Sequence, residues 1–158
     1  MDLLKSYNAK ATFFCIGRNV NDHNDIFQQV IREGHTIGNH SYNHLNGWKT
    51  ENKAYFENIE QCQQLVHSDF FRPPYGRIKR SQINYLRSKY KIIMWDVLSW
   101  DFDQNLTAKQ CTDNVLKNVR PGSVVVFHDS LKAKERMIPA LKSTLEKFSD
   151  EGWRFEGL

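Results

Sequence analysis

No CxxC pair occurs in this chain, and its three cysteines, Cys15, Cys62 and Cys111, are odd in number and widely spaced. Neither a disulfide framework nor a cysteine zinc site is indicated. Cys15 lies in an apolar run and reads as a small buried hydrophobe. No stretch is apolar enough over sufficient length to span a bilayer, and no signal-peptide pattern opens the sequence. Lysines and arginines are scattered, and the formal charge is only +4. No basic run therefore resembles a nucleic-acid footprint, and the excess reads as a solvated face. Repeats, low-complexity tracts and linkers are also missing. What remains is 158 residues with 40% hydrophobic and 25% charged content. That suits a single domain over residues 1–158 with a real hydrophobic core.

The apolar pattern alternates between two periods. Asp2 to Tyr7 reads as the last turns of a helix. Ala11 to Ile16 is a nearly continuous apolar run closed by Gly17, as expected of a strand buried on both faces. Asp22 to Glu33 has helical spacing through Ile26, Phe27, Val30 and Ile31. Thr36 to Gly38 predicts a brief strand. Thr50 to His67 predicts the longest helix, with Tyr55, Phe56, Ile59, Cys62, Leu65 and Val66 inward. Two prolines and a glycine forbid regular structure at Arg72-Pro73-Pro74-Tyr75-Gly76. Helix is expected over Arg80 to Lys89, strand over Lys91 to Val97, and a Thr107-capped helix to Val119. Ser123 to Phe127 predicts a buried strand ending at His128-Asp129. A helix over Lys134 to Phe148, started or interrupted at Pro139, and a closing strand over Trp153 to Glu156 complete the chain. Alternating strands and helices give an α/β fold with a mainly parallel sheet.

Polar clusters follow the strand ends. The first is Gly38-Asn39-His40-Ser41-Tyr42-Asn43-His44. Its two imidazoles, four positions apart in a turn-forming segment, can hold one metal ion. Arg72 to Tyr75, Asp101 and His128 follow later strands. In (β/α) barrels that end of the sheet carries the active site. His23 and His67 read as helix-end residues, His35 as a local packing or hydrogen-bonding residue, and Asp96 as a structural acceptor. Trp153 reads as core, and Trp95 and Trp48 each as groove or core.

These residues resemble the polysaccharide deacetylases of carbohydrate esterase family 4, also called NodB-homology domains. Lys10-Ala11-Thr12-Phe13-Phe14 with Ile16-Gly17 resembles the family's second strand. Gly34 to His44 is similar to its histidine motif, Phe71-Arg72-Pro73-Pro74-Tyr75-Gly76 to its arginine–proline–tyrosine motif, and Val126-Phe127-His128-Asp129 to its last motif. The resemblance implies a distorted (β/α) barrel and metal-dependent removal of N- or O-acetyl groups from a carbohydrate polymer. His40 and His44 would be metal ligands, with zinc the expected ion. His128 would be the general acid, oriented and kept cationic by Asp101. The Tyr75 backbone N–H would help hold the oxyanion. Arg72 would position a catalytic carboxylate, and Tyr75, Trp48 and Trp100 would touch the sugar.

Two departures from the family pattern stand out. Its fourth motif reads Asp-x-x-Asp-Trp, whereas this chain has Leu98-Ser99-Trp100-Asp101-Phe102. Only Asp101 is kept, which implies a differently shaped sugar wall. The family's first motif, a strand ending in Thr-Phe-Asp-Asp, supplies the general base and a third ligand, and no Asp-Asp pair occurs here. On this reading the barrel is incomplete at its first strand. Zinc binds weakly and the rate falls by about 10²- to 10⁴-fold without a base. Arg72 faces solvent or an anion. The Ala11–Ile16 and Trp153–Glu156 edges approach each other or pair with a second copy as a homodimer. Three readings stay open: an active deacetylase whose internal Met1 is taken as a start, a non-catalytic carbohydrate-binding or structural remnant, or another α/β enzyme. The compartment is not set by these residues, since an export signal would lie upstream of Met1.

Overall fold

The computed structural model describes residues 1–158 in two compact units. One comprises Lys10–Met94 with Gly157–Leu158, the other Met1–Ala9 with Trp95–Glu156.

The Lys10–Met94 unit is built on four parallel strands in the order β1 (Thr12–Cys15), β2 (Thr36–Asn39), β3 (Phe70–Phe71) and β4 (Lys91–Ile92). Thr12 pairs with Thr36 and Phe14 with Gly38. A Cβ on Gly38 would sit 2.5 Å from the Phe14 ring, so only glycine lets that ring lie on β2. The connections are helical. The expected helix over 22–33 is α3 (Asn24–Arg32), and a further helix, α2 (Gly17–Asp22), precedes it where none was expected; His23 between them leaves helical geometry at φ −136° and ψ 53°. The long helix α4 (Asn52–Val66) buries Tyr55, Asn58, Ile59, Cys62 and Val66, a stripe at three- and four-residue spacing. His67 ends it in the left-handed region. Tyr55, Ile59 and Phe71 join Leu86 of α5 (Arg80–Leu86) and Tyr90 in one core cluster. The His35 ring bonds across to the start of the neighbouring strand rather than locally, its Nδ1 accepting from the Ala11 N–H at 3.3 Å.

The other unit holds α1 (Asp2–Ser6), the parallel pair β5 (Val97–Leu98) and β6 (Val125–Val126), α6 (Ala108–Asn118) and α7 (Lys134–Asp150). Thr107 caps α6 with a reciprocal capping box to Gln110. Helix α7 runs through Pro139 without a break.

Two strand expectations fail for visible reasons. The segment 91–97 is not one strand but β4 and β5 in separate sheets. Between them the Arg72 guanidinium takes the Ile93 and Met94 carbonyls, at 3.2 Å from Nε and 2.9 Å from Nη2. Asp96 turns to the next pairing, its carboxylate accepting from the Val124 N–H at 2.8 Å. Nor is Trp153–Glu156 a strand. The Trp153 N–H closes α7 on the Phe148 carbonyl, and its ring stacks on Phe148 at 4.5 Å. The tail then meets β1 and β2 through side chains, as Leu158 N–H donates to Thr12 Oγ1 and Thr36 Oγ1 donates to the Leu158 carbonyl. The expected homodimer finds no support in this arrangement.

Candidate active site

The histidine loop follows β2 and is strained. Ser41 and His44 hold φ of 60° and 56°, uncommon for non-glycine residues. Two buried asparagines impose that shape. Asn39 Oδ1 accepts from the Ser41 N–H at 2.9 Å, and its Nδ2 donates to the Ile59 carbonyl. Asn58, on the inner stripe of α4, accepts from the Tyr42 and Asn43 N–H groups at 3.0 and 2.9 Å. The sequence reading missed both. Asn58 had one signal, a polar residue on an otherwise apolar helical face.

Within this loop the His40 and His44 rings meet edge to face with centroids 4.9 Å apart. His40 Nδ1 lies 2.7 Å from the Arg72 carbonyl. A carbonyl only accepts, so Nδ1 carries the proton and the lone pair of neutral His40 is on Nε2. An outer partner of this kind fixes the tautomer of metal-ligating histidines. The Tyr75 ring packs 4.5 Å from that of His44. Tyr75 is exposed and also in the left-handed region, at φ 60°.

Arg72 does not face solvent or an anion as expected. It is half-buried, with its guanidinium 4.0 Å over the Phe14 ring and its donors on the Ile93 and Met94 carbonyls. Burial lowers its pKa to about 10. Trp48 is exposed, and its Nε1–H donates to the Ile78 carbonyl.

The other unit brings Asp101 and His128 together. The Asp101 carboxylate is fully buried and accepts twice from one residue: from His128 Nδ1 at 2.7 Å and from the His128 backbone N–H at 2.7 Å. The ring is thereby fixed with Nε2 on its far side, and its side chain is 40% exposed. Phe102 lies edge-on to His128 at 5.0 Å, and Trp100, at φ 62°, packs against Phe102. Arg136 of α7 donates from Nε to the Asp101 carbonyl at 2.8 Å. Nothing in the sequence pointed to Arg136, because the contact is made across 35 residues.

Zinc fits the chemistry of this donor set in part. Two imidazoles stand together with one tautomer fixed, but no group of three or more His, Cys, Asp or Glu side chains is placed to hold an ion. The structure thus gathers His40, His44, Arg72 and Tyr75 in one unit and Asp101, His128 and Trp100 in the other.

The family model for polysaccharide deacetylases matches residues 1–90. The chain belongs to the polysaccharide deacetylase family. A peptidoglycan-N-acetylglucosamine deacetylase of Bacillus cereus is 34% identical over 94% of this chain and 59% of its own length. A second Bacillus cereus protein of the same name is 33% identical over 98% of this chain and 76% of its own length. The crystal structure of the Bc1960 peptidoglycan N-acetylglucosamine deacetylase superposes with a TM-score of 0.91 at 32% identity, over 99% of this chain and 77% of that one. The fold is therefore the α/β, (β/α)-barrel type of the polysaccharide deacetylases. This family member spans about three fifths to three quarters of these curated relatives.

Proposed function

We propose that the chain serves metal-dependent hydrolysis of acetyl groups on a carbohydrate polymer, with N-acetylglucosamine of a peptidoglycan-like glycan the favoured substrate. The observation that carries this reading is the His40–His44 pair with His40 Nδ1 set on the Arg72 carbonyl. His40 and His44 would hold the ion through neutral nitrogens. A bound zinc ion supplies a water of pKa about 7 and Lewis acidity toward the acetyl carbonyl. His128, oriented by Asp101, donates a proton from Nε2 to the leaving amine or alkoxide. The Tyr75 backbone N–H stabilises the oxyanion, and the exposed faces of Tyr75, Trp48 and Trp100 stack on sugar rings. Arg72, its guanidinium on the Ile93 and Met94 carbonyls, supports the pair through its own carbonyl on His40 Nδ1.

No Asp-Asp pair lies within these 158 residues, and no three-ligand cluster forms. Catalysis by these residues alone is therefore slow. That same observation favours a second reading, a non-catalytic carbohydrate-binding or structural protein. Acetate release from peptidoglycan strands and chitooligosaccharides, with and without zinc, separates the two. The deacetylase reading expects zinc-dependent release about 10²- to 10⁴-fold below that of a relative with a base. His40→Ala and His128→Ala should each abolish it. Glycan binding without any release supports the second reading. Release that survives His40→Ala overturns the first.

A further inference from the structure

We propose that Arg77 and Trp48 form a subsite that reads a carboxylate on the glycan, so that the chain prefers acidic acetylated strands to neutral ones. This inference rests on the carbohydrate reading above and adds what the sugar must carry.

The first observation is one of charge. Of the eighteen acidic residues, none lies in 34–50, which holds the histidine loop, or in 70–95, which holds the Arg72–Tyr75 turn. Those two stretches hold eight cations, and the ones nearest the histidine loop and the Arg72–Tyr75 turn in sequence are Lys49, Arg72, Arg77, Lys79 and Arg80. Two of them are committed to the protein. Arg72 is spent on the Ile93 and Met94 carbonyls, and Lys79 Nζ donates to the Thr50 carbonyl at 2.9 Å. Arg77 is exposed and takes part in none of the chain's ion pairs.

The second observation is that Arg77 is placed rather than loose. Its guanidinium lies over the Trp48 ring, 5.4 Å from the centroid. That ring is fixed in turn, since Trp48 Nε1–H donates to the Ile78 carbonyl at 3.1 Å and the Trp48 N–H to Asn46 Oδ1 at 3.1 Å. The backbones of the two loops are locked together. Gly47 N–H donates to the Arg77 carbonyl at 3.1 Å, and a Cβ on Gly47 would stand 2.5 Å from that oxygen. A large exposed indole and a cation held against it on a rigid base suit a two-part ligand: an apolar pyranose face and an anion beside it. Ordering these groups beforehand lowers the entropy lost on binding. The guanidinium fork matches a carboxylate in two parallel hydrogen bonds, which a lysine cannot copy. His44 lies four residues before Trp48, and Tyr75 two before Arg77. The subsite is thus continuous in sequence with the His40–His44–Tyr75 cluster. A glycan strand can present a carboxylate from an ether-linked lactyl group or from an attached peptide.

Calorimetry with four ligands tests this: strands bearing peptides, strands stripped to their lactyl carboxylates, the same strands with carboxylates amidated, and chitotetraose. The carboxylate forms should bind about tenfold tighter than the amidated ones, a margin that shrinks as salt rises. Arg77→Gln should erase the margin and leave chitotetraose affinity unchanged. Arg77→Lys should restore only part of it, and Trp48→Ala should weaken all four. Which carboxylate form binds tighter identifies the source of the anion. An unchanged margin in Arg77→Gln, an equal loss on chitotetraose, or no binding of any strand overturns the proposal. An intact margin without acetate release sinks the deacetylase reading alone, and release without a margin sinks this one alone.

Discussion

Cys62 is fully buried on α4, its Sγ 3.5 Å from the Cys15 carbonyl. Burial raises its pKa from 9.0 to about 11, because a thiolate there would lose its hydration. Between those values the folded state keeps a proton that the unfolded chain has released. Stability is therefore complete below pH 9 and falls as pH climbs toward 11. Tyr55 and Tyr90 are shifted upward by burial as well and act in the same direction above pH 10. Arg72 works the opposite way, its lowered pKa adding stability from about pH 10 upward. The interval from pH 9 to 10 thus belongs to the buried thiols: Cys62, with the larger shift, and Cys111, which burial raises in the same direction. Urea unfolding should show a loss of about 1 kcal/mol between pH 8 and 10. Cys62→Ala should flatten most of that slope while shifting the whole curve by a constant. A slope unchanged in Cys62→Ala would assign it elsewhere. Such effects are invisible in the sequence, where Cys62 is one apolar position among several. The left-handed backbones of His44, Tyr75 and Trp100 are equally hidden.

At the scale of elements, the helix α4 is more than core. Through Asn58 it holds the turn that carries both candidate ligands, with Oδ1 accepting from two successive N–H groups. Replacing that acceptor by Leu strips the Asn43 N–H of it, at about 1–3 kcal/mol before relaxation, while the Tyr42 N–H keeps the Asn58 backbone carbonyl at 3.1 Å. Asn58→Leu should lower the urea midpoint and broaden the His40 and His44 ring signals in NMR spectra. Asn58→Asp keeps an acceptor at the same place and should retain both rings' order. Equal loss in the two variants would mean that volume, not the acceptor, matters. The histidine motif itself could be read from the sequence because its two imidazoles lie four positions apart in one turn-forming segment. Helix cores were also legible, since Tyr55, Ile59, Cys62 and Val66 repeat at helical spacing. What could not be read was where a strand stops. The core of that run, Ile92 to Trp95, is apolar, and it is broken by Arg72, a residue 21 positions from Ile93. Trp153 was drawn from strand to helix end by its stacking on Phe148.

For the molecule as a whole, any ion held by His40 and His44 in the folded chain must raise the stability of the entire fold by mass action. The gain is RT ln(1 + [L]/Kd), about 2.7 kcal/mol at a hundred times Kd. For a domain of this size that is a rise in Tm of roughly 5–10 °C. Two imidazoles bind zinc less tightly than three ligands, so saturation should come only at high free zinc. Unfolded chains with six histidines and three cysteines bind some zinc too, which trims the gain. The variants separate these effects. His40→Ala and His44→Ala should each remove the zinc-dependent part of the rise, because a single imidazole is left at the site. His23→Ala, His67→Ala and His128→Ala should keep it, since the first two lie at helix ends and His128 is assigned to proton transfer with Asp101. A rise that persists in His40→Ala would place the ion elsewhere. Loss in His128→Ala would make that imidazole a ligand and take the acid role from it.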